Sequence, residues 1–268
     1  MALFSKFGQS IYKNRLFIIH YIHKFISKEY GYHILVFSIL FSGPLMVSAQ
    51  NTYEDYVKLG NKKDSLKDYK AAVAAFHEAI KLKPAEAEPY YFRANAEFDL
   101  TKYNEAADDY SKAIEINPND AEAYFNRGNT MYELKKYTDA VADFTKFITL
   151  RPTVPEAYYD RANALVKNKD YNAALDDYKQ ALSLNNKYYQ ASYDRGNLYF
   201  NLKMYKDAMA DYSSAIHLVP NDYHAWFNRA MAEFNLDDAN AGCEDLNKAK
   251  DLGDPEAEEF LNELCSEP

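Results

Sequence analysis

An all-α solenoid of about six helix-turn-helix units, closed by a C-terminal capping helix, is the fold this sequence predicts. Three observations carry the expectation. First, four residue series recur with a step of 34: Arg93, Arg127, Arg161, Arg195 and Arg229; Ala72, Ala106, Ala140, Ala174 and Ala208; Tyr69, Tyr103, Tyr137, Tyr171 and Tyr205; and Pro84, Pro118 and Pro152, with Pro220 two steps further on. Self-similarity at a fixed period of this length marks stacked supersecondary units. Second, each half of a unit has helical spacing. In residues 121–154, Tyr124, Arg127, Gly128 and Met131 share one face of a first helix, and Ala140, Phe144, Phe147 and Ile148 share one face of a second. Third, 8 Gly and 9 Pro among 268 residues allow only few and short turns.

Residues 1–49 differ from the rest. Five bases (Lys6, Lys13, Arg15, Lys24, Lys28) against one acid (Glu29) give +4, which leaves −13 of the total −9 for residues 50–268. The basic part precedes the apolar run Ile34–Phe41 and the breakers Gly43-Pro44, and small residues at Val47 and Ala49 suit cleavage before Gln50. The apolar run falls short of the ~20 residues that span a bilayer. The segment therefore reads as a signal peptide or an N-terminal membrane anchor, and the chain as exported, periplasmic or anchored in the cell envelope.

Six units follow: 53–86, 87–120, 121–154, 155–188, 189–222 and 223–256. In the third, Leu134–Thr138 is a polar turn and Pro152 stops the second helix, having no N–H and clashing with the preceding turn. Small residues at Gly60, Ala94, Gly128, Ala162, Gly196 and Ala230 let the two helices of a unit approach. Residues 255–265 read as the capping helix, packing through Phe260, Leu261 and Leu264. Terminal units have one face without a neighbour and are expected to be atypical. Accordingly, unit one carries Lys63 and Asp64 at apolar places, and unit six, with Ala239 and Gly242, is expected to be the loosest. Phe147, in a place otherwise held by Ala, predicts wider packing in unit three. Asn186 in place of Pro predicts a longer second helix in unit four.

Tyr124, Arg127-Gly128, Tyr137, Ala140, Phe144 and Pro152 together resemble the tetratricopeptide repeat, and the resemblance extends over about residues 53–256. It implies a right-handed superhelix whose first helices line a concave groove that binds another protein. Some members hold a partner's C-terminal carboxylate with a Lys, Asn and Arg clamp. This sequence lacks it: the Lys place is aromatic in units two to six, and Glu88, Glu122 and Glu156 stand close by.

Two polar series share the repeat. A recurrent Arg needs a partner, because a buried unpaired charge is costly. Asp109, Asp143, Asp177, Asp211 and Asp245 recur in step with Arg93, Arg127, Arg161, Arg195 and Arg229, so the rows are expected to pair across helices as scaffold. The bland alternative is two solvated rows. The second series is Asn61, Asn95, Asn129, Asn163 and Asn197. Tyr91, Phe125, Tyr159 and Tyr193 stand four residues before members of it, and Phe98, Tyr132 and Phe200 three after. Spacings of three and four keep these on one helical face. The expected peptide-binding stripe is Tyr91, Asn95, Phe98, Phe125, Asn129, Tyr132, Tyr159, Asn163, Tyr193, Asn197 and Phe200. The alternative is rings that fill the inter-helix core and amides that serve local structure.

The acidic repeat region disfavours nucleic acid, which calls for a basic stripe. It points to a neutral or basic protein segment as partner and against an acidic tail. No phosphate loop, nucleophile elbow or small-molecule site is visible, and the paired acids Asp108-Asp109 and Asp176-Asp177 belong to the repeat. His217 and His224 have no Cys nearby, so neither metal nor cofactor is expected. Cys243 and Cys265 read as two core thiols, although export permits a bridge. A non-enzymatic adaptor follows, with a structural subunit docking through its convex face as the alternative and an envelope enzyme as the remotest reading.

Overall fold

Small residues at the helix crossings, and one large side chain wedged against each, build this chain into an all-α solenoid. The computed structural model describes residues 51–265, so the expected leader or anchor lies outside the described residues. Thirteen helices form among them. Units one to three are α1 (Tyr53–Ser65) with α2 (Tyr69–Leu82), α3 (Ala87–Asp99) with α4 (Tyr103–Ile116), and α5 (Ala121–Glu133) with α6 (Tyr137–Leu150). Units four to six are α7 (Pro155–Lys167) with α8 (Tyr171–Leu184), α9 (Tyr189–Asn201) with α10 (Tyr205–Leu218), and α11 (Tyr223–Phe234) with α12 (Ala239–Asp251). The cap is α13 (Ala257–Leu264).

Local chemistry sets the boundaries. Thr52 and Asp55 exchange the two hydrogen bonds of a capping box at α1. Asp68, Asp120 and Asp238 accept from backbone N–H groups of α2, α5 and α12, and Pro155 occupies the first turn of α7. Each turn inside a unit closes the same way. A residue two positions past the end of the first helix, or three in unit six, is left-handed (Lys67 φ 58°, Thr101 59°, Lys135 59°, Lys169 66°, Lys203 62°, Asp237 61°). The following N–H then donates back across the turn, as Lys102 does to the Glu97 carbonyl at 2.9 Å.

Phe76, Tyr110, Phe144, Tyr178, Tyr212 and Leu246 are each almost fully buried, one per unit. Each faces a small residue on the first helix of its unit. A Cβ added at Gly60 would stand 2.4 Å from the Phe76 ring, and one at Gly128 2.8 Å from Phe144. The repeated alanines Ala72, Ala106, Ala140, Ala174 and Ala208 are wholly buried.

The structure departs from several expectations. Phe147 does not widen unit three. It is buried, received by Ala121 and Ala157, and its ring lies 4.9 Å from that of Phe125. Asn186 does not lengthen α8, which spans the same 14 residues as α6 and α10. The Asn185 side chain accepts from the Lys187 N–H at 3.0 Å and closes the turn without proline. The looser contact is instead the α8–α9 junction. Unit six packs as closely as the others, because Gly242 lets the Phe234 ring lie directly on α12. The cap seats Phe260 and Leu261 among Trp226, Phe227 and Met231, but Leu264 turns outward and Cys265 takes its place.

The two cysteines are not free thiols. Cap α13 folds back onto unit six and brings the Cα atoms of Cys243 and Cys265 to 5.8 Å, where they form a disulfide. Spacing alone could not reveal this, because the chain between the two cysteines, 22 positions apart, reverses direction at Gly253-Asp254, with Gly253 at φ 97°.

Two predictions follow from these elements. Cys265→Ser is expected to lower the unfolding free energy by about 3 kcal/mol through lost loop closure. Urea titration of Trp226 fluorescence, with reduced parent protein matching the variant, checks this. Thr101→Gly is expected to stabilise by about 1 kcal/mol, since a β-branched residue is strained at positive φ. An unchanged or lower melting temperature contradicts it.

Candidate inner-face binding site

The Arg and Asp rows pair within each unit. In every case Arg Nε and Nη2 donate to the two carboxylate oxygens of the Asp sixteen residues on: Arg93–Asp109, Arg127–Asp143, Arg161–Asp177, Arg195–Asp211 and Arg229–Asp245. For Arg161 both distances are 2.7 Å. Such two-pronged contact suits a guanidinium. The remaining Nη1 reaches the preceding unit, donating at 3.0 Å to Ser111 from Arg127, to Thr145 from Arg161 and to Ser213 from Arg229, and meeting His77 from Arg93. Each of these Arg side chains ties three helices together. Tyr90, Tyr124, Tyr158 and Trp226 flank the guanidinium planes.

Sequence reading missed two acids beside this row. Glu97 and Glu233, four residues after Arg93 and Arg229, are 8% and 7% exposed, each with one carboxylate oxygen buried and unpartnered. Burial and then Asp109 lift the Glu97 carboxyl from an ordinary value of 4.5 to about 7, against the pull of Arg93. Burial and then Asp245 do the same at Glu233. The signal was present, since Glu recurs at this place only in units two and six.

The inner face is made by the first helices, which meet their counterparts in successive units. Three hollows run along it. One of about 320 Å³ is lined by Asp64, Asn95, Phe98, Asp99, Tyr110, Asn126 and Asn129. One of about 630 Å³ holds Tyr132, Asn163, Asp194, Asn197 and Asn201 among its walls. The last, of about 600 Å³, includes Asn197, Phe200, Asn201, Asn228 and Phe260. Tyr91, Phe125, Tyr159 and Tyr193 do not line these hollows. They lie deeper, with ring centroids 5.9, 5.7, 6.0 and 6.0 Å from Tyr110, Phe144, Tyr178 and Tyr212. Phe98, Tyr132 and Phe200 rest edge-on against Tyr103, Tyr137 and Tyr205, half-buried.

Three of the amides have internal duties. Asn95, Asn163 and Asn197 accept from the hydroxyls of Tyr110, Tyr178 and Tyr212 at 2.5, 2.5 and 2.9 Å. A second set of bonds joins successive units. Asn126 donates to Tyr91 and Asn95, Asn228 donates to Tyr193 and Asn197, and the Tyr159 hydroxyl donates to Asp194 at 2.7 Å. Unit three differs, because Phe144 carries no hydroxyl and Asn129 has no side-chain hydrogen bond among the described residues.

The face is acidic. Asp64, raised by its burial and by Asp99, Asp194, raised by its burial, and Asp99 itself all reach the hollows. Lys167 and Lys169 border the middle hollow. Among the described residues, no three His, Cys, Asp or Glu side chains gather as metal ligands, and no helix is long and apolar enough to cross a membrane.

Raised carboxyls favour the folded state when protonated. The stability contributed by Glu97 is therefore complete below about 4.5 and is lost as pH rises through about 7. Glu97→Gln is expected to be progressively more stable than the parent as pH rises from 5 to ~8. Paired thermal melts check this, and a pH-independent difference contradicts it.

Tetratricopeptide-repeat models match residues 56–86, 121–154 and 159–223, and a TPR-repeat model matches residues 94–135. The fold is similar to that of YrrB, described as a TPR protein with an unusual peptide-binding site. Identity is 25%, coverage 72% of this chain and 100% of that one, and the TM-score 0.63. It is also similar to the C-terminal part of a TPR repeat-containing protein from Cytophaga hutchinsonii (17%; 77% and 82%; TM-score 0.67) and to Pseudomonas aeruginosa pilF (19%; 79% and 97%; TM-score 0.62). No curated protein matches in sequence. Repeats of this kind form protein-interaction scaffolds, and the chain belongs to the tetratricopeptide-repeat family.

Proposed function

We propose that the chain is a non-enzymatic adaptor whose inner face holds an extended segment of a partner protein, neutral or basic and without an acidic tail. The observation that carries this reading is the run of three open hollows along the first helices, walled by half-buried rings, amides and carboxylates. Rings offer apolar area with a polar tip. Amides both donate and accept, as a peptide backbone requires. The peptide-binding site named for YrrB supports the same use of this fold. No constellation of nucleophile, base and orienting group accompanies the hollows among the described residues.

Export to the envelope is part of the proposal. It is supported by the basic and apolar character of residues 1–49 and by a disulfide, which persists mainly in oxidising compartments.

Alanine at all the amides together would be a poor probe, since Asn163 and Asn197 hold buried tyrosine hydroxyls. A photo-crosslinking residue placed at Asp99 or Asn201, both exposed within the hollows, is expected to capture the same partner in the native cell. The same residue at Gln180, exposed on a second helix, is expected to capture none. Capture from Gln180 alone would point to docking through the convex face.

A further inference from the structure

The five junctions between units repeat one pair of positions on the inner face. The ring position of one unit meets a position 35 residues later in the next as Tyr91 with Asn126, Tyr159 with Asp194, and Tyr193 with Asn228, and the same register sets Val57 opposite Phe92 and Phe125 opposite Asp160. Three junctions join a hydroxyl to a polar side chain, at 3.0, 2.7 and 2.8 Å. The first is apolar on both sides. Only the middle junction is mismatched, because Phe125 offers Asp160 no hydroxyl.

The same place lacks a second hydroxyl. Asn95, Asn163 and Asn197 receive one from a tyrosine fifteen residues on, but Asn129 has Phe144 there. Asp160 also stands 31 residues after Asn129, the separation at which Asn126 donates to Asn95 at 3.2 Å and Asn228 to Asn197 at 3.1 Å. No bond joins Asn129 and Asp160. Asp160 has no hydrogen bond or ion pair among the described residues, and its oxygens are not sealed from solvent. The adjacent Arg161 is committed to Asp177 and Thr145. Burial, and then Glu156, lifts the Asp160 carboxyl to about 7, as befits a carboxylate short of a cation. Its counterparts Asn126, Asp194 and Asn228 all line the hollows.

We infer that Asp160 and Asn129 form a subsite at the centre of the inner face for a basic side chain of the extended partner segment. The Asp160 carboxylate accepts from the cationic N–H groups, and the Asn129 amide pairs with the adjacent peptide unit. This rests on the inner-face reading above and names the residue type that the face selects. A carboxylate whose neighbour Glu156 has the same sign, on a face that also carries Asp64, Asp99 and Asp194, complements a cation and repels an acid.

The test exposes the full chain to an array of random dodecapeptides. Bound peptides are expected to show Lys or Arg over Gln at one position by about tenfold, the discrimination of one charge-assisted hydrogen bond. Asp160→Asn is expected to bring that ratio close to one. Phe125→Tyr, which supplies the hydroxyl that Tyr159 gives Asp194, is expected to reduce it as well, without lowering the melting temperature. It decides alone should Asp160→Asn lose its helicity. Binding without enrichment, enrichment of neutral amides instead, or enrichment that survives both substitutions overturns the subsite and leaves the inner-face reading standing. Binding of no peptide at all overturns both.

Discussion

The close approach of two helices around one large side chain is the constraint on which the rest of this solenoid depends. Where Gly60 or Gly128 removes the Cβ, Phe76 or Phe144 fills the space, and where Ala94 or Ala162 keeps it, Tyr110 or Tyr178 does. The identity of that side chain reaches beyond the core. A tyrosine carries its hydroxyl through the packed layer to the inner face, where it occupies the carbonyl of an asparagine. A phenylalanine leaves that asparagine available. Core and inner face are therefore one layer seen from two sides, and a core substitution that conserves volume still alters the polarity of that face.

The Arg rows add register to this packing. A buried ion pair is weak evidence for stability, because desolvation offsets much of its attraction. Its geometry is the more telling property here. A guanidinium that grips Asp143 in its own unit and Ser111 in the one before can do both only if the units stack in one orientation. The arrangement also explains the raised carboxyls of Glu97 and Glu233, for in both units a second acid shares an Arg whose fork is already engaged by Asp109 or Asp245.

The ends of the stack face a different problem. Among the described residues the helix after unit six is α13, whose eight residues are too few to form a stable helix alone. Phe260 and Leu261 give that helix an apolar seat, and the Cys243–Cys265 bridge holds it there. At the opposite end unit one answers with polar chemistry, through the capping box of Thr52 and the pairing of Lys63 with Asp68 at 3.0 Å.

The 34-residue period determined the helix boundaries, the small residues at the crossings and the residue types of both polar rows, because these depend on contacts within one unit, which each unit repeats. Contacts between units were another matter. Nothing in the spacing of Asn95 disclosed that Tyr110 and Asn126 converge on its carbonyl, or that Asp160 would find Phe125 where its counterparts find tyrosine. The missing hydroxyls are visible as letters, but their consequence appears only when residues 31 and 35 apart are brought face to face. The disulfide is of the same kind, since the reversal at Gly253 places Cys265 beside Cys243. Periodicity encodes what one unit does to itself, and tertiary structure decides what each unit offers its neighbour and what it leaves for a partner.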